Sequence, residues 1–201
     1  TNPDIEISLA KPNRQIVGNL VEAYNIKLTM QMGQVSQLTF SIPYTTTKNY
    51  LVVENKNVNK IKQRYLLKVK YLDIEEWMLI IDETDSLNDT NVKNISAYSL
   101  GYQLTDKYIR QWAGAFVNGE YRKESLNAKQ VMDSILEETN WTYDVANSDS
   151  VYLTKYRSFE FQNQYRLDAV FNIAETFNAI IEWNSQERKI IFKDAETYGG
   201  F

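Results

Sequence analysis

Three groups of carboxylates are the residues here whose type and spacing suggest chemistry: Glu75-Glu76, Asp82-Glu83-Asp85 and Glu137-Glu138. Two carboxyl groups held a few ångströms apart in unlike surroundings can cleave a glycosidic bond. A run of them mixed with hydroxyl and amide oxygens can bind Ca²⁺. Asp85-Ser86-Leu87-Asn88-Asp89-Thr90-Asn91 comes nearest to such a loop, but it lacks the central Gly and distal Glu of an EF-hand. No spacing matches a known Ca²⁺ loop, so these acids read as solvated strand ends and a helix terminus.

The sequence has no Cys and no His. That excludes disulfides, thiolate zinc sites, Cys nucleophiles and every His-based triad or metal ligand. No catalytic, cofactor-binding or metal-ligating residue is assigned, and no cofactor is expected. Asn88-Asp89-Thr90, Asn94-Ile95-Ser96 and Asn140-Trp141-Thr142 match the glycosylation sequon, which in an Asn-rich chain reads as chance. Net charge is −4, and the pI is about 5.1. Cations are scattered among acids; Lys56, Lys60 and Lys62 read as a solvated loop. A nucleic-acid face, which needs clustered cations, is therefore not expected.

The 201 residues can bury one large core or two modest ones. Hydrophobic content of 43% and charged content of 24% are those of an ordinary globular protein. The 14 Tyr, 8 Phe and 4 Trp suit a β-rich protein with extensive contact surfaces. No apolar run approaches the ~20 residues of a membrane helix. Thr1-Asn2-Pro3-Asp4 is no signal peptide, and the missing initiator Met suggests a trimmed or partial chain.

Tyr165 to Asp194 is the best-defined stretch. Leu167, Val170, Phe171, Ala174 and Phe177 recur at steps of three and four, which predicts a helix with one apolar stripe. The period then changes to two through Ile181 and Trp183. Asn184-Ser185-Gln186-Glu187 supplies a turn, and Ile190-Ile191-Phe192 a second strand. Upstream, Asn127 with Gln130 predicts a capping box on a helix whose apolar face is Ala128, Val131, Met132, Ile135 and Leu136. Trp141-Thr142-Tyr143 and Val151-Tyr152-Leu153 read as strands. Asn118-Gly119 reads as a type I′ turn. Trp112 and Phe116 fit either a core or a docking patch.

The first half reads as strands. Ile5, Ile7 and Leu9 alternate with polar residues until Pro12-Asn13. Leu28–Met32 and Leu38–Ile42 form a hairpin across Gly33-Gln34, ended by Pro43. Residues 44–64 read as a polar surface loop with one short helical turn. Leu66–Leu72 and Glu76–Asp82 form a hairpin across Asp73-Ile74-Glu75. Trp77, Leu79 and Ile81 on one face and Met78 and Ile80 on the other predict a central strand. Val92–Tyr98 is a further strand, and Ser99–Tyr108 a short helix carrying Leu100 and Leu104. The expected fold class is α+β. A β-rich, barrel-like domain over 1–98 precedes a smaller α+β domain over 99–201, with two helices packed on antiparallel strands.

The ordered series Ala128…Val131-Met132…Ile135-Leu136…Thr139-Asn140-Trp141, Leu167-Asp168-Ala169-Val170…Ile173-Ala174, Ile180-Ile181-Glu182-Trp183 and Arg188-Lys189-Ile190-Ile191-Phe192 resembles the N-terminal module of siphophage and prophage tail-tip proteins, the tail-associated or baseplate-hub family. Leu38-Thr39-Phe40-Ser41-Ile42-Pro43 resembles that family's L-x-F-x-I-P signature, and Glu76-Trp77-Met78-Leu79-Ile80 its W-x-x-I strand. The resemblance implies a virion structural protein made in the host cytoplasm. It would be a homotrimer whose barrel-like domains ring the tail channel and join the sixfold distal tail protein to a threefold tip. Family members continue past this point, often into a peptidase, glycan-cleaving or receptor-binding part.

A structural role without catalysis is the expectation. The alternatives are a carboxylate-dependent cell-wall or glycan hydrolase domain, which an acidic cleft would favour, and a carbohydrate-binding β module, which an exposed Trp/Tyr platform would favour. The hairpin 27–43 and the loop 111–121 are expected to carry self-contacts, since 44–64 reads as too polar for one.

Overall fold

The structure, a computed structural model, describes residues 4–30, 35–86, 91–112, 115–117, 120–122 and 125–198; for 115–117, 120–122 and 197–198 it describes backbone alone. The turns at Gly33-Gln34 and Asn118-Gly119, the sequon at Asn88 and most of the loop after Asp85 lie outside the described residues. The chain is strand-rich with a few helices, an α+β fold. It divides into two compact units, one ending at Leu100 and the other running from Gly101. The sequence boundary at 98/99 falls two residues earlier.

The first unit contains β1 (Ile5–Ala10), β2 (Ile16–Asn19), β3 (Tyr24–Thr29), β4 (Gln37–Pro43), β5 (Thr45–Lys48), β6 (Leu51–Glu54), β7 (Leu66–Tyr71), β8 (Ile74–Asp85) and β9 (Val92–Ser99). Seven of them form one curled sheet in the order β2-β1-β7-β8-β9-β4-β3. All of its neighbours are antiparallel. Alternation decides which side is dry. Leu38, Phe40 and Ile42 of β4 and Ile95 and Ala97 of β9 are buried, while Thr39, Ser41, Asn94 and Ser96 point to the other face. Met78 and Ile80 of the central β8 complete the buried side, and Leu20, Val58 and Ile61 close it. Each such Leu or Ile side chain contributes about 1.5–3 kcal/mol by leaving water.

β8 is central, as its two apolar faces predict. Its hairpin with β7 turns at Leu72-Asp73, not at 73–75, because Tyr71 pairs with Ile74 and Leu72 takes a positive φ of 52°. Residues 44–64 are a correction. The expected short helical turn is there, as a 3₁₀ turn at Val58–Lys60, but the hairpin β5–β6 stands where a loop was expected. Thr45-Thr46-Thr47 and Leu51-Val52-Val53 are β-branched or apolar runs, and Asn49-Tyr50 between them both have positive φ, the conformation of a type I′ turn.

The second unit contains β10 (Tyr108–Trp112), β11 (Ala115–Val117), β12 (Glu120–Arg122), α1 (Ala128–Ile135), β13 (Thr142–Tyr143), β14 (Phe161–Tyr165), α2 (Arg166–Thr176), β15 (Ala179–Asn184), β16 (Lys189–Asp194) and α3 (Ala195–Tyr198). The capping box is present. The Asn127 side chain accepts from the Gln130 N–H at 2.9 Å, and the Asn127 N–H donates to Gln130 Oε1 at 3.0 Å. Helix α2 follows β14 and leads into the β15–β16 hairpin, with Asn184 opposite Lys189. β13 runs parallel to β16, a departure from the all-antiparallel expectation.

Two segments differ in type from the sequence reading. The helix expected over Ser99–Tyr108 is a 3₁₀ helix, Leu100–Asp106, which buries Leu100 and Leu104. Ser150–Leu153 is also 3₁₀ and not a strand, because Tyr152 turns inward. Its ring meets Phe177 and Phe192 edge-on at 6.2 and 5.8 Å, and its hydroxyl donates to the Lys193 carbonyl at 3.2 Å. Burial, with the charges of Asp194 and Asp149, pushes this phenol well above its ordinary pKa.

Trp183 lies edge-on to Trp141 at 5.5 Å and to Phe171 at 6.3 Å. Its ring fills the space where a Cβ on Gly101 would stand, 2.7 Å away. Phe171 and Trp183 are half-buried, so Phe171→Ala and Trp183→Ala should each cost about 3 kcal/mol or somewhat less, read as a lower melting temperature. Gly101→Ala should cost about 1–3 kcal/mol by pushing the indole out of place. Thermal melts of the three variants that match the parent would contradict this packing. Asn127→Ala should cost about 1 kcal/mol through the lost cap.

Candidate docking surface

The structure scatters the carboxylates. Glu75 and Glu76 are neighbours on β8, so their side chains leave on opposite faces. Glu75 pairs with Lys68 at 3.3 Å, both partly exposed. Glu76 accepts from Ser99 Oγ–H at 2.8 Å, and Ser99 Oγ in turn accepts from the Ser36 N–H at 2.9 Å. Burial raises the Glu76 carboxyl above its usual range, with the Ser99 bond pulling the other way. Glu137 and Glu138 are exposed just beyond α1. Among the described residues no group of three or more acids could hold a metal.

A β-bulge separates Asp82 from its neighbours. Ile80 pairs with Ala97 but Asp82 pairs with Ser96, so β8 spends two residues where β9 spends one. Ile80 faces the core; two residues on, strict alternation would have sent Asp82 there too. The bulge turns Asp82 out to water and returns Glu83 and Asp85 to the inner side. There Glu83 forms a close ion pair with Lys93, and Tyr44 O–H donates to Asp85. Lys93 also stands 5.7 Å over the Tyr44 ring. Burial works against the Lys93 ammonium, but Glu83 and Tyr44 together outweigh it and hold its pKa above the ordinary value. Burial first, and then the bond to Asp85, raises the Tyr44 phenol. This cluster closes one end of the core with paired charges.

Trp112 is a packing residue. Its Nε1–H donates to Ser134 Oγ at 2.8 Å and its ring meets Phe161 at 5.1 Å. The side chain of Phe116 lies outside the described residues. Exposed apolar side chains include Met30, Leu72 and Ile74, and also a group in the segment read as too polar from sequence. On β5–β6, Tyr50 is 101% exposed and Val52 75%, with Leu51 and Val53 beside them. Among the described residues β5 and β6 pair only with each other. In the large sheet β2 and β3 each have one partner among the described residues, which leave both edges open, near exposed Ile16, Val21 and Met30. The alternating pattern of the L-x-F-x-I-P strand was legible; the hairpin's exposure was not, since only the fold shows that the described residues leave Leu51 and Val52 largely uncovered. Among the described residues no helix is long and apolar enough to cross a membrane.

Similarity to known proteins reaches both units. The profile of the YOMG N-terminal domain matches residues 9–97, from β1 to β9. Over 194 residues the chain is 26% identical to the SPbeta prophage-derived uncharacterized protein YomG of Bacillus subtilis (strain 168). That alignment takes in 96% of this chain, which spans about a fifth (21%) of the length of the curated relative. Both matches relate the chain to a prophage-derived protein.

Glu76 supplies a pH test. A carboxyl whose folded pKa is raised favours the protonated folded state. Its contribution is therefore most favourable in acid and is lost as pH rises from about 4.3 through the folded value. Gln at this position keeps an acceptor for Ser99 without the charge. Glu76→Gln should raise the melting temperature more at pH 7 than at pH 4, and equal differences at both pH values would contradict the burial cost.

Proposed function

We propose that this chain is the N-terminal hub part of a phage or prophage tail-tip protein, a structural element without catalytic activity. Its first unit would join copies of the parent protein, as a homotrimer, into a ring that meets the distal tail protein in the virion. The observation that carries this reading is a sheet that the described residues leave open at both edges, with an exposed apolar hairpin in the same unit. Closed rings form from heterologous contacts, in which one patch meets a different patch on the next subunit. A free edge and an apolar arm are two such unlike patches. Similarity to a prophage-derived protein and the tail-tip resemblance of the strand signatures support the same reading.

Light scattering on the full-length parent tests it. A trimer is expected, and Tyr50→Ser with Val52→Lys should weaken its self-association by about tenfold or more. The same pair should leave the melting temperature of the 201-residue chain within the small range of exposed substitutions, about ±0.5 kcal/mol. A parent that stays monomeric at high concentration and does not bind the distal tail protein would sink the assignment.

A further inference from the structure

On the outer face of the first unit's sheet lies a concavity of about 290 Å³. Two rungs of the strand register run through it, their β4, β9 and β8 members in its lining and their β3 members, Tyr24 and Lys27, beside it. Tyr24 stands opposite Ser41, Ser41 opposite Asn94, and Asn94 opposite Thr84. Beside it Lys27 stands opposite Thr39, Thr39 opposite Ser96, and Ser96 opposite Asp82. Directly opposed residues share a face, so both rungs present their side chains outward across β3, β4, β9 and β8. Four strands and one alternate-residue step give a patch of about 14 by 7 Å.

A solvated sheet face is polar by default, so polarity alone says little. The two ends of this patch say more. A bulge lies between Tyr24 and Lys27 on β3, with Asn25 at a positive φ of 51°, and a second lies between Ile80 and Asp82 on β8. Bulges re-aim side chains, and these two bring Lys27 and Asp82 onto the face at opposite ends of one rung. Ser41 Oγ–H donates to Asn94 Oδ1 at 2.8 Å, which leaves the amide nitrogen as the end without a partner among the described residues. Hydroxyls and an amide both donate and accept, the two charges are opposite, and exposed Tyr24 adds a flat amphipathic face at the rim.

We propose that this trough binds a short neutral oligosaccharide. Asn94, Asp82 and the Ser and Thr hydroxyls would hydrogen-bond sugar hydroxyls, with Tyr24 stacking on a ring. The proposal does not rest on the tail-tip reading, and trimerisation neither supports nor opposes it.

The experiment is amide NMR of the 201-residue chain titrated with chitotetraose, cellotetraose, maltotetraose and an uncharged extended octapeptide. With at least one tetrasaccharide, saturable shifts are expected at Thr39, Ser41, Asn94 and Ser96. Asn94→Ala and Tyr24→Ala should each weaken that binding by about tenfold or more. Thr84→Lys should block it by filling the trough, and Tyr108→Ala in the second unit should leave it unchanged. The undisturbed part of each spectrum shows that the variant is folded. No saturable shift with any of the three sugars would overturn the proposal. So would shifts that Asn94→Ala and Tyr24→Ala leave intact, or saturation by the octapeptide in place of the sugars.

Discussion

Strands send alternate side chains to opposite faces, and the first unit depends on how its central strand β8 keeps that rule and then breaks it. As far as Ile80 the rule holds, and Met78 and Ile80 join Phe40, Ile42 and Ile95 in one dry layer. Past Ile80 the strand still has the acids Asp82, Glu83 and Asp85 to place. Without the bulge, Asp82 would point at the apolar layer, where an unpaired carboxylate costs several kcal/mol. With it, Asp82 meets water and Glu83 and Asp85 meet Lys93 and Tyr44. One extra residue thus separates a core from a polar face and seals the end of that core.

The second unit relies on aromatic contact more than on sheet area. Among the described residues its sheets have two or three strands each, too few to be stable alone. Rings link two of them, since Phe159 meets both Phe161 of β14 and Phe177 at the end of α2. Trp141 and Trp183 meet on one side, and Tyr152 stands between Phe177 and Phe192 on the other. Edge-to-face pairs of this kind add about 0.5–1.5 kcal/mol each beyond the area they bury.

Where burial and local pattern agreed, the sequence was readable. Asn127 with Gln130, the stripe on α2, the alternation of β4 and the two-sided apolar character of β8 all express one residue's relation to its near neighbours. Misreadings occurred where the deciding fact was distant. Tyr152 is in a 3₁₀ turn because Phe177, Phe192 and the Lys193 carbonyl await it, and none of these is near in sequence. The polar composition of 44–64 hid Leu51-Val52-Val53, whose pairing with Thr46 and Thr47 needed the Asn49-Tyr50 turn to be recognised. The trough was invisible for the same reason: its rungs join residues from four strands, and the bulge that aims Asp82 cannot be seen in an unaligned chain. The acids were read as solvated ends, which the exposure of Glu75, Asp82, Asp85, Glu137 and Glu138 bears out, whereas Glu76 and Glu83 are partly buried and partnered.

The order of the large sheet also constrains how it can be made. β9 is the last of its strands to be synthesised, yet it lies between β8 and β4. Before it arrives, β2-β1-β7-β8 and β4-β3 are two separate ribbons, and the flanks of β8 and β4 that β9 will cover are bare. A nascent chain shorter than Ser99 therefore cannot form the core, whatever the quality of its local hairpins. It must hold two unpaired inner edges apart from each other and from those of neighbouring chains. The keystone strand makes the unit an all-or-none product of translation, with its greatest exposure to misassembly just before residue 99 leaves the ribosome.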